Sequence, residues 1–329
     1  MKTKIVYVLT SSDNDFYLEQ TLLSVYSLRI YNKEAKVILI TDKVTNSTFV
    51  GTRRSLLAYF DEIIVVETPQ NFNNVRKSRF LKTKVRDIIS GDFLFVDSDT
   101  IITQSLESID NIDIEIGGVP DKHVKIDDHP LKDTIVKQVQ RTGLLIDKSL
   151  PYINSGVFFV KDTPLTHELY KHWHTKWMEL QPVQTLDQPP LAWVNHEMGY
   201  PIKLLPDFWN CQVIDGGLKF LNQSFIIHYF ASSKNSNGQT PYAIYNTAIY
   251  DKIKKTGKVD NEVDRLVRNP LSAFIPVCRI IAGDDMKILD GFFYKMVYKQ
   301  YPLLFSFVEN FSLLCVKVFR RIKLDNILK

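Results

Sequence analysis

The sequence lacks the glycine-rich motifs by which two large classes of nucleotide-binding enzyme are recognised. No Gly-x-Gly-x-x-Gly follows the first apolar segment and no Gly-x-x-x-x-Gly-Lys-Ser/Thr occurs, so a Rossmann dehydrogenase and a P-loop NTPase lose their main support. Internal repeats and low-complexity segments are also absent from the 329 residues. Because 45% of the residues are hydrophobic, the chain can bury a substantial core, which excludes intrinsic disorder.

Cysteine is scarce, and its placement limits the roles it can play. Cys211, Cys278 and Cys315 are odd in number and far apart, so neither a disulfide framework nor a Cys-x-x-Cys metal site is visible. This favours a reducing compartment, and we expect a cytoplasmic protein. The N-terminal apolar run from Ile5 to Leu9 is too short for the hydrophobic region of a signal peptide, so we expect the first strand there.

Residues 1–315 also lack an excess of charge of either sign. The net charge of +4 is concentrated in residues 316–329, which contain Lys317, Arg320, Arg321, Lys323 and Lys329 against Asp325. The remainder is neutral, which argues against a nucleic-acid groove and for a basic terminus with a partner of its own.

The most informative segment is Gly-Asp-Phe-Leu-Phe-Val-Asp-Ser-Asp-Thr-Ile-Ile, residues 91–102. Its apolar run behind a glycine predicts a strand buried on both faces of a parallel sheet, with Asp97 and Asp99 at the carboxyl end, where open α/β sheets bind ligands. Side chains two residues apart point to one side, so both carboxylates can converge on one hard cation. A solvated acidic turn is the alternative, because an isolated Asp-x-Asp is a weak signal and Asp13 and Asp15 form another.

The order of apolar segments predicts an α/β fold with a doubly wound, mostly parallel central sheet flanked by helices. We expect strands at 4–10, 37–40, 63–66, 92–96, 112–119, 152–160, 202–205 and 225–229, and helices after residue 16 and at 49–60, 80–89, 163–180 and 186–197. Residues 121–150 are polar and without long apolar periodicity, which is typical of a lid or binding loop. We expect a catalytic domain at 1–240 and a C-terminal helical region at 241–329.

Further polar residues follow or interrupt the later apolar strands, at Asn154, Asp187, Gln188, His228 and Lys234. A histidine behind an apolar strand is usually structural, but two strand-end aspartates in the same domain make His228 a candidate ligand. Two carboxylates and one imidazole leave about three positions of an octahedral ion for water or phosphate oxygens, which indicates Mn²⁺ or Mg²⁺ rather than a closed zinc site. Lys234 would add positive charge over the phosphates.

Taken in order, these motifs resemble the GT-A nucleotide-sugar glycosyltransferases. The narrower resemblance is to family 8, which includes glycogenin and bacterial lipopolysaccharide galactosyl- and glucosyltransferases, and it runs along most of residues 4–235. It rests on five segments, at 93–99, 152–160, 186–191, 205–211 and 227–234. The resemblance implies the Rossmann-like GT-A fold and a hexosyltransferase that uses a nucleoside-diphosphate sugar, with UDP-galactose or UDP-glucose as the expected donor.

The resemblance also assigns roles to individual residues. It implies that Asp97, Asp99 and His228 hold the metal ion and that Lys234 contacts the diphosphate. It places Asn154, Asp187 and Gln188 around the donor sugar, with Asp187 and Gln188 as the catalytic pair and Gln188 on the face of a retaining enzyme's supporting group. The remaining donor contacts it implies are Thr10, Ser11, Arg79, Asp97 and Ser98. Thr10 would face the base, where the family often has an acid, so the base is not specified as uracil.

The chemistry expected of such a site can be stated from the residues. Breaking a sugar–phosphate bond leaves a diphosphate whose developing negative charge needs a metal ion and a lysine. Gln188 is a poor nucleophile, so we expect front-face attack with retention of anomeric configuration. Two alternatives remain: a sugar-nucleotide pyrophosphorylase, whose glycine-rich loop after the first strand is missing, and a catalytically silent, membrane-associated protein that binds sugar nucleotides.

Near the C-terminus, apolar residues recur at three- and four-residue spacing. They are Leu304, Phe307, Val308, Phe311, Leu314, Cys315, Val318, Phe319 and Ile322. Glu309 and Lys317 argue against a transmembrane helix, since each would cost roughly 2.5–3.5 kcal/mol near a bilayer centre. Two interpretations stay open: the stripe docks on the catalytic domain, or residues 300–329 lie on an anionic membrane surface. The resemblance favours the second, with a glycan or glycolipid acceptor at the inner face of the plasma membrane.

Overall fold

The computed structural model describes residues 1–181, 183, 185–213, 217–229, 242–273, 289, 291–298 and 300–327. The chain divides into two compact units, Met1–Val277 and Cys278–Lys329. The first unit extends past residue 240, the boundary that we expected for the catalytic domain, because residues 242–273 join its core: Val263 and Val267 are buried there. The hydroxyl group of Tyr26 also donates to Asp264 Oδ1 at 2.5 Å.

Ten strands occur in the described part of the first unit. They are β1 (Lys4–Leu9), β2 (Val37–Asp42), β3 (Glu62–Val66), β4 (Phe93–Val96), β5 (Thr100–Ile102), β6 (Ile116–Lys125), β7 (Pro151–Val160), β8 (Lys203–Leu204), β9 (Cys211–Gln212) and β10 (Ile226–His228). Seven form one sheet in the order β3-β2-β1-β4-β7-β6-β8, in which only β7 runs against the others. The predicted α/β fold with a mostly parallel sheet is confirmed.

Helices connect these strands and flank the sheet. They are α1 (Tyr17–Tyr31), α2 (Lys43–Ser47), α3 (Thr52–Leu56), α4 (Asn74–Thr83), α5 (Val85–Ile88), α6 (Lys132–Gln140), α7 (Pro164–Glu179), α8 (Gln188–Glu197), α9 (Thr247–Thr256) and α10 (Asn261–Arg268). Short 3₁₀ helices lie at Leu57–Tyr59, Glu107–Asn111, Ile126–Asp128, Asp207–Asn210, Gly217–Gln223 and Pro270–Ala273.

Several predicted elements differ from the observed ones. The single helix expected at 49–60 is α3 with a 3₁₀ turn, because Gly51 adopts a positive φ of 54° at the start of α3. The helix expected at 80–89 begins earlier, at Asn74, and is interrupted at Lys84. The strand expected at 112–119 is shifted to Ile116–Lys125, so part of the presumed loop at 121–150 pairs with β7 through a bulge.

The central strands are buried on both faces, as their continuous apolar sequence predicts. In β4, Leu94 and Val96 face one core cluster, and Phe93 and Phe95 face the other. Strand β1 alternates in the same way, so β1 and β4 fix the middle of the sheet and hold their carboxyl ends side by side.

A small second sheet, in the order β5-β10-β9, follows directly after the Asp-x-Asp motif. Strand β5 pairs antiparallel with β10, so that Thr100 lies opposite His228. The Thr100 hydroxyl lies 2.6 Å from Ser24 Oγ of α1 and donates to the carbonyl of Asp97 at 2.9 Å. This sheet therefore brings a histidine from residue 228 beside the aspartates.

The second unit contains a π-helix at Phe293–Tyr298 and the long helix α11, Pro302–Ile327. The segment Pro302–Phe319 has a mean hydropathy of 1.5 over 18 residues, and none of it is buried. By length and composition alone this segment is apolar enough to cross a membrane, although Glu309 and Lys317 lie within it.

We predict that Thr100→Val destabilises the first unit. Valine keeps the shape of the side chain but removes the hydroxyl that contacts the Asp97 carbonyl and Ser24 Oγ. Because these polar groups are left without that partner, we expect the free energy of unfolding to fall by about 1–3 kcal/mol. Urea unfolding measures the change, with Thr256→Val, an exposed helix-end substitution, as the matched control. Equal midpoints for Thr100→Val and the parent would contradict the prediction.

Candidate active site

Three candidate metal ligands meet at the carboxyl end of β4. One ligand atom from each of Asp97, Asp99 and His228 lies within 4.8 Å of the other two, and His228 Nε2 is 3.2 Å from Asp99 Oδ1. Backbone hydrogen bonds fix the arrangement, since the Tyr229 N–H donates to the Asp99 carbonyl at 3.0 Å and the Asp97 N–H donates to the Gly156 carbonyl at 2.8 Å. The sequence prediction therefore selected residues that the fold brings together.

The residues of this cluster fit a divalent cation. Two carboxylates and an imidazole form the donor set that suits Mn²⁺ or Mg²⁺. Strand β7 allows the His228 and Asp97 side chains to pack against it because it has glycine at position 156: a Cβ there would lie 2.4 Å from His228 Cε1 and 2.8 Å from Asp97 Oδ2. Gly156 therefore permits the close approach of these ligands; it lies in the segment 152–160, in which the sequence analysis assigned it no role.

Charge coupling shifts the pKa values of these ligands. Burial raises the pKa of Asp97; Lys82 opposes this and the Asp99 carboxylate adds to it, and the net pKa lies above the usual value. Burial lowers the pKa of His228, but Asp99 and Asp97 overcome that effect and raise it. The cluster thus concentrates negative charge at a buried strand end.

Lys82 is a site residue that the sequence analysis missed. Its Nζ lies 3.3 Å from Asp97 Oδ1 and 3.6 Å from Asp187 Oδ2, and 4.7 Å from the centre of the Phe95 ring. Arg79, which was predicted, lies one helical turn earlier on α4, so the two basic residues share one face. A predicted helix start at Asn74 would have placed Arg79 and Lys82 on one helix, one turn apart.

Asp187 connects these basic residues to the start of α8. Its Oδ1 is 2.9 Å from Arg79 Nε, and its Oδ2 accepts a hydrogen bond from Ser155 Oγ at 2.8 Å. Burial raises the pKa of Asp187, but Lys82 and Arg79 together with these hydrogen bonds hold it at about 2. Asp187 is therefore ionised at neutral pH and orients two cations beside Asp97.

A cleft of about 190 Å³ opens beside the two aspartates. Thr10, Arg79 and Ser98 line it together with Asp97 and Asp99. Tyr17 and Asn74 form part of its wall, and the Thr10 hydroxyl donates to the Asn74 carbonyl at 2.9 Å.

Three other predicted site residues, Ser11, Asn154 and Gln188, are not among the residues that line this cleft. Ser11 is buried, and its hydroxyl donates to Asp15 Oδ1 and accepts from Arg53, each at 2.6 Å. Asn154 is buried among protein hydrogen bonds. Gln188 donates to the Ile153 carbonyl at 3.1 Å and lines a separate cavity of about 30 Å³. Lys234 lies outside the described residues.

Comparisons with known proteins point to one family. A family model described as nucleotide-diphospho-sugar transferase matches residues 64–259. Among solved structures, the galactosyltransferase LgtC in complex with donor and acceptor sugar analogues is 14% identical, with 80% of this chain and 99% of that chain covered and a TM-score of 0.52. At this identity the likeness supports the fold alone.

Two further solved structures resemble the chain more loosely. Mouse xyloside xylosyltransferase 1 is 15% identical, covering 70% of this chain and 99% of that one, with a TM-score of 0.48. The glycosyltransferase GlyE of Streptococcus pneumoniae TIGR4 is 17% identical, with 85% of this chain and 67% of that chain covered and a TM-score of 0.47. No curated protein matches the sequence.

We predict that Gly156→Ala weakens Mn²⁺ binding, because the added methyl group collides with His228 and Asp97. The dissociation constant can be measured by electron paramagnetic resonance. Gly199→Ala is the control: it places a side chain at a φ of 73° with no atom within 4 Å of the new Cβ, so it perturbs the backbone alone. Unchanged Mn²⁺ affinity in Gly156→Ala would contradict the prediction.

Proposed function

The chain belongs to the nucleotide-diphospho-sugar transferase family, and on that premise we propose a retaining, metal-dependent hexosyltransferase. As a GT-A glycosyltransferase of the family 8 type, it uses a nucleotide-sugar donor. The proposed donor is UDP-galactose or UDP-glucose, and the proposed acceptor is a surface glycan or a glycolipid.

The observation that carries this proposal is the meeting of Asp97, Asp99 and His228 at the edge of the cleft. These residues would hold Mn²⁺ or Mg²⁺, and the ion would supply positive charge to the departing diphosphate. Thr10 lies at the far end of β1 in the same cleft, where the base is proposed to bind. Lys234 as the diphosphate contact stays a prediction.

The remaining proposed roles rest on the charged groups around Asp187. Lys82 and Arg79 keep the Asp187 carboxylate ionised next to Asp97, which supports the proposal that Asp187 orients cationic groups toward the sugar and phosphate. Gln188 offers only an amide, so we propose attack from the face that the diphosphate leaves. A phosphate oxygen of the leaving group accepts the acceptor's proton.

We predict that Asp99→Asn abolishes most Mn²⁺-dependent release of nucleoside diphosphate from the donor. Loss of a cation worth several kcal/mol corresponds to a rate loss of at least about 100-fold. The assay compares Asp99→Asn with Asp133→Asn, an exposed residue on α6, which should keep the parent rate. Equal rates in the two variants would refute the metal assignment, and no release by the parent would favour the silent binding protein.

We predict that the glycoside product retains the donor's anomeric configuration. The reason is that Gln188 offers only an amide, which can serve neither as the nucleophile of a double displacement nor as the base that direct inversion needs, so that front-face attack remains. Proton NMR of the fresh product, by the anomeric coupling constant, distinguishes the two outcomes. An inverted product would rule out the proposed mechanism.

We also propose that α11 lies on an anionic membrane surface at the inner face of the plasma membrane. Its side chains Leu303, Phe307 and Phe311 are 88%, 68% and 58% exposed and recur every four residues, which forms one apolar stripe. Lys317, Arg320, Arg321 and Lys323 come after these three residues within the sequence of α11. An apolar face combined with basic residues is the pattern of interfacial helices.

We predict that the full chain floats with vesicles containing phosphatidylserine and that a chain ending at residue 299 does not. A full chain with Phe307→Ser and Phe311→Ser should float less, because it loses apolar area while keeping its charge. Neutral phosphatidylcholine vesicles are the lipid control. Equal flotation of the full and shortened chains would contradict the proposal.

A further inference from the structure

A chain of buried polar side chains leads from His228 into the protein, and its direction can be read from a backbone donor. The Gly156 N–H donates to Asn154 Oδ1 at 2.9 Å, and a backbone N–H can only donate. The amide of Asn154 is therefore oriented, with its Nδ2 donating to Asp121 Oδ1 at 2.7 Å.

The orientation of Asn154 determines that of Asn210. Because Asn154 presents oxygen, the group of Asn210 that lies 3.0 Å away is its NH₂. The oxygen of Asn210 then faces His228 Nδ1 at 3.0 Å, so Nδ1 carries the proton. In a neutral imidazole this leaves Nε2, which lies 3.2 Å from Asp99 Oδ1, as the nitrogen that can bind a cation.

The far end of the chain is ordered by the same reasoning. The Leu131 N–H donates to His129 Nδ1 at 2.9 Å, so His129 carries its proton on Nε2 and donates it to Asp121 Oδ2 at 3.1 Å. Asp121 thus accepts from both His129 and Asn154. Every donor between His228 and His129 points toward this one carboxylate.

The backbone around Asp121 adopts a conformation that needs support. Lys122 and His123 have positive φ values of 55° and 61°, which is costly for residues other than glycine. Gln212 accepts from the Lys122 N–H at 2.8 Å and donates to the Pro120 carbonyl at 2.9 Å.

A second anchor comes from the same segment. His123 Nδ1 lies 2.8 Å from Asp207 Oδ1, and the Gln212 N–H donates to His123 Nε2 at 3.1 Å, so His123 donates to Asp207. Asp207 and Gln212 flank Asn210 in sequence. One segment, residues 207–212, therefore holds both the bend that presents Asp121 and the amide that contacts His228.

We propose that Asn210 is a positioning residue that presents Nε2 of His228 to the divalent cation, and that Asp121 and the Gly156 N–H, both acting through Asn154, orient Asn210. The inference rests on the proposed metal site. It gives the β6–α6 segment, in which the sequence predicts a binding loop, a direct connection to metal binding.

The first test measures Mn²⁺ affinity by electron paramagnetic resonance, without any substrate. Asn210→Leu should bind Mn²⁺ about 10- to 100-fold more weakly, the usual effect of removing such a partner. Asn210→Asp should bind Mn²⁺ more tightly than Asn210→Leu, because one carboxylate oxygen still faces His228, although the other then faces Asn154 Oδ1, which cannot donate to it. Asp128→Asn, an exposed acid beside His129 that lies outside the chain of hydrogen bonds, should match the parent.

The second test asks whether Asp121 acts through Asn210. Asp121→Asn should weaken Mn²⁺ binding in the parent, because its single amide oxygen cannot accept from both His129 and Asn154, so that the Gly156 N–H alone holds the orientation of Asn154. In the Asn210→Asp background the same change should have little effect, since a carboxylate needs no orienting partner. This double-mutant cycle separates the proposed coupling from a loss of charge, which would act equally in both backgrounds.

A spectroscopic readout reports the tautomer directly. In protein labelled with ¹⁵N at histidine and loaded with Mg²⁺, two-bond ¹H–¹⁵N correlations should show His228 protonated at Nδ1 in the parent and in Asn210→Asp. Asn210→Leu should lose this single pattern. A purely structural role for Asn210 would lower stability without changing the tautomer.

The outcomes are distinguishable. If the parent does not bind Mn²⁺, the metal site itself is wrong and the inference falls with it. If the parent binds and folded Asn210→Leu binds equally well, the positioning role alone is overturned. If Asn210→Leu does not fold, the double-mutant cycle decides, and equal effects of Asp121→Asn in both backgrounds overturn the proposal.

Discussion

The constraint on which the site depends is the crowding of like charges at one strand end, where Asp97 and Asp99 are half-buried and Asp187 is buried. Asp97, which follows β4, lies close to Asp187 at the start of α8. Asp99 is two residues after Asp97 in the sequence. Buried carboxylates are costly unless cations offset them. Lys82 lies between Asp97 and Asp187, Arg79 pairs with Asp187, and His228 faces Asp99. A divalent cation held by Asp97, Asp99 and His228 would complete this balance.

Much of this arrangement could be predicted because it is local in sequence. A continuous apolar run predicts a doubly buried strand, and the side chains that follow it must lie at the sheet edge. Asp97 and Asp99 were found in this way. His228 was found because it ends another apolar run, although its contact with Asp99 depends on the antiparallel pairing of β5 with β10, which local patterns do not encode.

The roles of Lys82, Asn210 and Asp121 could not be predicted, because they depend on the exact bounds of helices and on contacts between segments that are distant in the sequence. Lys82 is one of several basic residues around α4, and only the observed helix start shows that it shares a face with Arg79. Asn210 and Asp121 are ordinary polar residues until the bend at Lys122 is known. That bend is stabilised by Gln212, a contact across 90 residues of sequence, so no local pattern indicates it.

The central claim is that Asp97, Asp99 and His228 share one divalent cation. Anomalous diffraction at the manganese absorption edge, from crystals grown with Mn²⁺ and UDP, tests it most directly. The account predicts a single strong peak within bonding distance of both carboxylates and of His228 Nε2, next to the diphosphate. A well-ordered UDP in the cleft without a peak between these three side chains would contradict it.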